Sequence, residues 1–487
     1  MTLLMLLEMI ASAFGDRLGI GTAAHGLTYQ QLHDRAGAGA EVLRNSGARS
    51  LAYVASSDEA FPVALFASAW AGVPFIPLNY RLGEDQLRAL LADHDDVLVV
   101  AEDDAIPHLV GAASTILSID AWNRATSEPA EPAPSITDGE DIAVLLYTSG
   151  TTAAPKAVVL RHRHLSSYVI GSVEFAGSDG TDATLISVPP YHIAGVANVL
   201  SNVYSARRLV YLPAFTAEEW LGMVRAEGIT HAMVVPTMLA RVVDQLGPGE
   251  PAATPTLRSL AYGGSRMPTT VLEAALRAFP DIDFVNAYGL TETSSTIAIL
   301  DPDDHRAALA GVSDEARRRL GSVGRLVPGI EVDIRDGEIW VRGEQVSGEY
   351  LGQGAAVDAD GWFPTRDRGW VDDEGYLFIE GRSDDTIIRG GENIAPAEIE
   401  DVLLTHPAVR EAAVVGLPDD EWGQRLAAVV VRREGAAVGP DELREFVRAR
   451  LRSSRTPDLI AFRDDLPHTE TGKLLRRAVL ADLSKEG

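Results

Sequence analysis

A regular alternation of short apolar runs with helix-like segments, sustained over the first ~300 residues, does most to limit what this chain can fold into. Runs at 51–54, 75–78, 97–101, 142–147, 185–189, 209–212, 232–235, 257–262 and 284–287 have the length and flanking turn residues of buried strands. Helical patterns at 28–45, 60–71 and 217–227 lie between several of them. Parallel strands need long crossovers, and helices are the usual ones, so the pattern predicts an α/β fold of largely parallel, helix-covered sheets. Past residue 320 the rhythm changes. Segments 321–342 and 348–380 are short strands broken by Gly, Pro and Asp, a small β-rich subdomain starting near 310. A compact α+β segment follows, with a helix at 396–405 opened by Pro396 and strands at 412–415 and 427–431. The boundary falls at 381–385, which gives an N-terminal domain over 1–381 and a C-terminal domain over 382–487.

One loop inside this frame carries chemistry. Tyr147-Thr148-Ser149-Gly150-Thr151-Thr152-Ala153-Ala154-Pro155-Lys156 sets four hydroxyls and a glycine between the apolar runs 142–147 and 157–160, and it closes on a lysine. A plain turn needs no such row of donors. A polyphosphate does, because hydroxyls and backbone N–H groups can wrap its oxygens while an ammonium offsets its charge. The Walker spacing is absent.

Composition narrows the partners. With 487 residues the chain is too long for one core. It has no cysteine, which excludes disulfides, thiolate catalysis and Cys-ligated zinc and fits a cytoplasmic setting. The formal charge of −28 argues against nucleic acid as a partner, so an anionic substrate would need local cations. Residues 1–14 lack a basic start and contain Glu8, which reads as an amphipathic first helix rather than a signal peptide. No run reaches the ~18 apolar residues of a membrane span.

Further segments line up behind the loop. Asn286-Ala287-Tyr288-Gly289-Leu290-Thr291-Glu292-Thr293 follows an apolar strand and offers an aromatic face and a carboxylate where open α/β sheets bind ligands. Tyr288 could stack on a base and Glu292 could hold Mg²⁺ between phosphates, although the same residues suit an ordinary helix start. Asp367, after a turn, could accept hydrogen bonds from ribose hydroxyls. Gly390 and Gly391 would admit a ligand chain closely, and Lys473, on a Gly-containing loop, could bring charge to a reacting phosphate.

Taken together, in this order, these motifs resemble the adenylate-forming superfamily of acyl-CoA synthetases, luciferases and peptide-synthetase adenylation domains. The resemblance implies two α/β lobes, a small β-barrel subdomain and a mobile C-terminal domain hinged at Asp384. It implies that Thr148, Ser149, Gly150, Thr151, Thr152 and Lys156 grip the phosphates of ATP, with Thr151 and Glu292 on Mg²⁺. Gly263, Gly264 and Ser265 with Asn286, Ala287, Tyr288 and Gly289 would line the adenine pocket. Thr291 would touch the α-phosphate, Asp367 and Arg382 would hold the ribose, and Ile379 would pack on the base. Lys473, Glu292, Lys156 and His192 would be the catalytic set. Arg389, Gly390, Gly391 and Glu392 would border a tunnel for coenzyme A. The acyl group would lie against His192, Ile193, Val196, Ala197, Gly264, Gly289 and Leu290.

The chain departs from the family pattern at four places: Ala153 and Ala157 replace glycines, Arg366 replaces the glycine before Asp367, and His468 replaces an arginine. If 153 or 157 needs a left-handed backbone, alanine there costs about 1 kcal/mol. The activity implied is activation of a carboxylate by ATP to an acyl-adenylate, then transfer to coenzyme A. Ile193, Ala194, Val196 and Ala197 provide no anion for an α-amino group, so the expected substrate is an apolar aryl or aliphatic acid. The alternative acceptors are a carrier protein or an amine. A homodimer is compatible with the chain.

Overall fold

The computed structural model describes residues 1–148, 155–247, 250–311, 313–419, 422–469 and 473–485. The alternation resolves into two mixed sheets. One has nine strands in the order Arg325–Leu326, Ser295–Leu300, Asp283–Leu290, Ser259–Gly263, His231–Val234, Ala183–Ile186, Arg208–Tyr211, Leu18–Gly21 and Gly26–Thr28. The other has eight, from Gly354–Ala355 through Glu349–Tyr350, Lys156–Arg161, Ile142–Thr148, Phe75–Pro77, Ser50–Val54 and Val97–Ala101 to Thr115–Ser118. Their centres are parallel. Both margins of the nine-stranded sheet and one of the eight-stranded sheet are antiparallel, because links as short as the one between Ile142–Thr148 and Lys156–Arg161 cannot carry a crossover. Thr115–Ser118 closes the other margin of the eight-stranded sheet in parallel.

Ser50–Val54 and Val97–Ala101 are buried at every residue, as central strands covered on both faces must be. The helix Ala60–Ala71 is apolar almost all round and buried up to Trp70, packed against the Tyr29–Ser46 helix. Several boundaries moved, two of them beside the expected site residues. The run expected at 185–189 is the strand Ala183–Ile186, since Pro189 and Pro190 cannot donate to a ladder. The run expected at 284–287 extends to Leu290, so the motif from Asn286 lies on the strand rather than after it.

The subdomain expected as a barrel is a four-stranded antiparallel sheet of Glu331–Arg335, Glu338–Arg342, Phe363–Val371 and Leu377–Arg382. Its outer strands do not pair with each other. Ile339, Val341, Phe363 and Leu377 bury themselves against Ile297 and Val327 of the neighbouring sheet region, so closure is unnecessary. The C-terminal domain wraps the long hairpin Val409–Asp419 and Gly423–Arg432, plus the parallel strand Leu459–Arg463, with the helices Pro396–Leu404, Pro440–Arg448 and Arg476–Leu483. Its two apolar clusters contain only residues from Ile387 onward. No helix among the described residues is long and apolar enough to cross a membrane.

The first helix, Leu3–Phe14, buries Leu3, Leu6, Leu7 and Ile10, and the Leu3 N–H donates to His162 Nδ1 at 3.2 Å. His164 Nδ1 accepts the Arg161 N–H at 3.2 Å and caps the His162–Ser172 helix. Both rings are buried, and burial lowers the pKa to about 4 for His162 and about 3 for His164. Unfolded histidine takes up a proton below about 6.5. Between that pH and the folded values the unfolded state therefore binds more protons, and acidification destabilises the fold. We expect each ring to add about 1.4 kcal/mol per pH unit to the slope of unfolding free energy from about pH 6 to 5. His164→Gln retains a capping acceptor and should remove one such increment in urea titrations. An unchanged slope would refute the assignment.

Candidate functional site

Ser259–Gly263 and Asp283–Leu290 are neighbouring parallel strands with Gly263 opposite Ala287. That register sets the two segments expected around adenine side by side at the strands' C-terminal ends. Gly264 turns the chain away with φ 85°, ahead of half-buried Ser265, while Asn286 Nδ2 donates weakly to the Ser322 carbonyl at 3.4 Å. At Gly289 the partner strand comes so close that a Cβ would lie 1.7 Å from the Ser295 oxygen, which only glycine permits. The strand ends in a single 3-10 turn, Thr291–Thr293, where the Thr293 hydroxyl accepts the Leu290 N–H at 2.9 Å.

This turn presents Glu292. Its carbonyl accepts the N–H groups of Ser347 at 2.8 Å and Gly348 at 3.3 Å, and its Oε1 accepts the Tyr350 hydroxyl at 2.8 Å. Tyr350 lies on a strand paired with Lys156–Arg161, and Lys156 Nζ stands 5.3 Å from the Tyr350 ring centre. Burial, reinforced by Glu292, raises the Tyr350 pKa well above its usual value and keeps the hydroxyl a donor. Sequence reading missed Tyr350. Its only local signal is an aromatic with a polar tip between Gly348 and Gly352.

Asp367 is not on an exposed turn. It is buried within Phe363–Val371, where its Oδ1 meets Arg382 Nε at 3.0 Å and its Oδ2 accepts the Tyr288 hydroxyl at 2.6 Å. Burial pushes the Asp367 carboxyl up, against the pull of Arg382, Tyr288 and Lys473. The Tyr288 ring is packed with Leu290 and Ile379 in an apolar cluster, which differs from the free stacking face expected. Ribose hydroxyls would have to use the carboxylate's remaining lone pairs.

The strand around Asp367 bulges. Trp340 pairs with Pro364 and Glu338 with Arg368, so Thr365, Arg366 and Asp367 stand opposite Ile339 alone. Arg366 has φ 61°, a left-handed conformation that costs a side-chain-bearing residue about 1 kcal/mol or more. Ala157 lies in a regular strand without positive φ, and Ala153 falls outside the described residues. Among the described departures the strained one is Arg366. Thr148 and Lys156 pair across the hairpin, while Ser149, Gly150, Thr151 and Thr152 also fall outside the described residues.

Lys473 comes from the C-terminal domain. Its backbone N–H donates to Thr469 Oγ1 at 3.0 Å and its carbonyl accepts the Thr469 N–H at 2.7 Å, with His468 bridged to Leu474 across the same loop. The residue as a whole is exposed, and neighbouring groups partly desolvate its ammonium. Desolvation first and then Arg382 lower its pKa, while Asp367, Asp385 and Glu292 pull it back up. Of the chain's three lysines, Lys156 stands beside Tyr350 and Lys473 feels the charges of Glu292 and Asp367.

Other expected residues are placed differently. His192 precedes the helix Ile193–Tyr204, with its ring 4.6 Å from Tyr191, which in turn lies 5.9 Å from Tyr80. Burial lowers the His192 pKa to about 4, so this aromatic group is uncharged at neutral pH. Ile193 is half-buried, but Val196 and Ala197 are core residues rather than open pocket surface, because that face of the helix points inward. Gly390 and Gly391, with φ 57° and 83°, form the two-residue turn of the Ile387–Arg389 and Glu392–Ile394 hairpin, which itself demands positive φ at both. Arg389 pairs with Asp458 at 2.8 Å and Glu392 with Arg455, so neither reaches the cluster. A second residue that sequence reading missed is Trp422. It is 47% exposed, its carbonyl accepts the Gly390 N–H at 2.8 Å, and the Arg389 guanidinium lies 5.9 Å from its ring. Asp384 lies exposed on the 3-10 turn Ser383–Asp385 between the domains.

Among the described residues no group of three or more acidic or histidine side chains could hold a metal. A lone Glu292, with its second oxygen unbonded among those residues, suits Mg²⁺, which commonly takes one or two carboxylates and completes its shell with water and substrate phosphates.

Residues 8–351 match the AMP-binding enzyme family and residues 398–473 its C-terminal domain. The fatty acid–[acyl-carrier-protein] ligase ScoC of Streptomyces coeruleorubidus is 34% identical over 93% of this chain and 90% of its own. A 2-succinylbenzoate–CoA ligase of Bacillus cereus is 31% identical over 95% of both chains. The ATP-bound MatB of Rhodopseudomonas palustris superposes with a TM-score of 0.88 over 100% of both chains at 26% identity.

Loss of the hydroxyl that holds Glu292 should disorient the carboxylate without unfolding the chain. Partners that orient a metal ligand are typically worth 10–100-fold in metal affinity or activity. For Tyr350→Phe we expect the Mg²⁺ concentration giving half-maximal pyrophosphate release to rise about tenfold. An unshifted Mg²⁺ titration would remove Tyr350 from the site.

Proposed function

The chain belongs to the AMP-binding enzyme family, and we propose that within it this protein is an AMP-forming carboxylate–CoA ligase acting on an apolar aryl or aliphatic acid. The observation that carries the reading is the gathering of Glu292, held by Tyr350 at 2.8 Å, and Asp367, held by Arg382 at 3.0 Å and Tyr288 at 2.6 Å, on adjoining sheets, with Lys473 of the C-terminal domain in their electrostatic field. A carboxylate is a poor acylating agent because its leaving group would be oxide. Attack of a carboxylate oxygen on the α-phosphorus of ATP forms the P–O bond of an acyl-adenylate, and the bond to the β-phosphate oxygen breaks to release pyrophosphate. The step asks for positioning and charge stabilisation rather than a general base. Lys156 and Lys473 supply positive charge from two sides. Mg²⁺, when bound, supplies further charge neutralisation on the phosphates.

In the second half-reaction a thiolate attacks the acyl carbon and AMP leaves. The reading divides the chain into a 1–381 body and a 382–487 domain that turns about Asp384. The turn would withdraw Lys473 and bring the Arg389–Glu392 hairpin to the acyl group. The exposed Trp422 ring, beside Arg389 and the paired glycines, offers an aromatic face and a cation to the nucleotide end of coenzyme A. The uncharged Tyr80–Tyr191–His192 group beside Ile193 supports an apolar acid.

Likeness to ScoC favours a second reading, in which the acyl group passes to a carrier protein. Pyrophosphate release across aryl and short-, medium- and long-chain acids, with product masses taken with coenzyme A or with holo-carrier protein, separates the two. Thioester formed only on the carrier would overturn the first. For Lys473→Ala we expect adenylation to fall by at least about a hundredfold, while thioester formation from supplied acyl-adenylate persists. Equal loss in both half-reactions would reject this division of labour.

A further inference from the structure

Just past Glu292 the chain is strained. Ser294 has φ 56° and Ser295 φ 109°, the one place among the described residues where two consecutive non-glycine residues have positive φ. Glycine adopts such conformations freely, whereas a side chain resists them. A strained pair of this kind persists only where its surroundings hold it. Both serines belong to the connection between the strands Asp283–Leu290 and Ser295–Leu300, the same connection that carries Glu292.

What holds it comes from another part of the chain. Gln345 is buried, and its Nε2 donates to the Thr293 carbonyl at 3.1 Å and to the Thr296 carbonyl at 2.8 Å, the two carbonyls that bracket Ser294 and Ser295. An amide nitrogen carries two N–H bonds, so this one side chain clamps both ends of the strained pair. An ionised carboxylate of the same shape has no donor to offer, and an apolar side chain would make neither bond. Thr293 tightens the turn from within, its hydroxyl donating to the Ser295 carbonyl at 2.8 Å. Just beyond Gln345, the N–H groups of Ser347 and Gly348 donate to the Glu292 carbonyl at 2.8 and 3.3 Å. One short segment thus grips the Glu292 turn on both sides of its carboxylate.

We propose that Gln345 is a positioning residue for Glu292: by clamping Ser294 and Ser295 it fixes the turn that offers the carboxylate to a divalent cation bound with ATP. The inference rests on the nucleotide-binding reading above. Tyr350 orients the Glu292 side chain, whereas Gln345 sets the backbone from which that side chain starts. Gln345 acts through the turn and needs no contact with nucleotide or metal.

Two measurements on the intact chain test this in the wild type, Gln345→Met, Ser295→Gly and the double variant. One is calorimetric titration with ATP, with and without Mg²⁺ and in the absence of any acid. The other is hydrogen–deuterium exchange of the ligand-free chain. Gln345→Met should speed amide exchange across 290–296 about tenfold. It should also cut the gain in ATP affinity that Mg²⁺ confers about five- to tenfold, and leave Mg²⁺-free ATP affinity within about twofold. In the Ser295→Gly background, where φ 109° carries no strain, the same substitution should lose most of its effect. Gln345→Asn, which keeps the amide on a shorter stem, replaces Gln345→Met if that variant does not fold, and should shift both readouts in the same direction by less. An unshifted Mg²⁺ gain, equal weakening with and without Mg²⁺, or independent effects in the double variant would overturn the proposal. A wild-type chain that binds no ATP would sink the nucleotide-binding reading itself and this inference with it.

Discussion

The buried carboxylate of Asp367 ties the four-stranded sheet to the nine-stranded one beside the apolar cluster they share. A charge taken out of water costs several kcal/mol unless its oxygens are met, and removing one partner from such a group typically costs about 3–5 kcal/mol. Its partners come from different places. Arg382 lies on the adjacent strand of the four-stranded sheet, and Tyr288 is on the nine-stranded sheet. The Glu292 turn is pinned in a parallel manner to Ser347, Gly348 and Tyr350, which belong with the eight-stranded sheet. Polar seams of this kind fix relative placement, because a hydrogen bond to a buried ion tolerates little displacement.

That seam is where the chemistry gathers. Each sheet contributes one or two side chains, and the C-terminal domain adds Lys473, so no single piece contains a complete site. A divided site suits a two-step reaction. On the proposed reading, residues needed for adenylation but not for thiol transfer would sit on a domain that moves, and the groups holding the nucleotide would stay on a fixed body. On the same reading, the neutral imidazole of His192 and the aromatic rings beside it would give the acid an entrance without a counter-ion.

Much of this could be read in advance. Buried parallel strands such as 97–101 are continuous apolar runs bounded by turn residues, a local signal that survives without tertiary knowledge. Glu292, Asp367 and Lys473 stood out by residue type and order, and the structure gives the first two defined partners. Three things did not stand out. Tyr350 matters through a hydroxyl 2.8 Å from a residue 58 positions earlier, and nothing local marks that. Val196 and Ala197 occupy a helical face that could point to a pocket or a core, and packing turned it inward. Arg366 looked like a neutral replacement until its φ of 61° showed that it occupies a glycine conformation.

The amino-acid order alone determined the fold class and the kinds of group available, because periodicity, turn chemistry and residue type are local properties. Tertiary structure decided which of those groups meet, which are already engaged and which way each one points. Those are questions of distance between residues far apart in sequence, answered only when the apolar faces of separate sheets have been buried against one another and the polar groups at their seam have found partners.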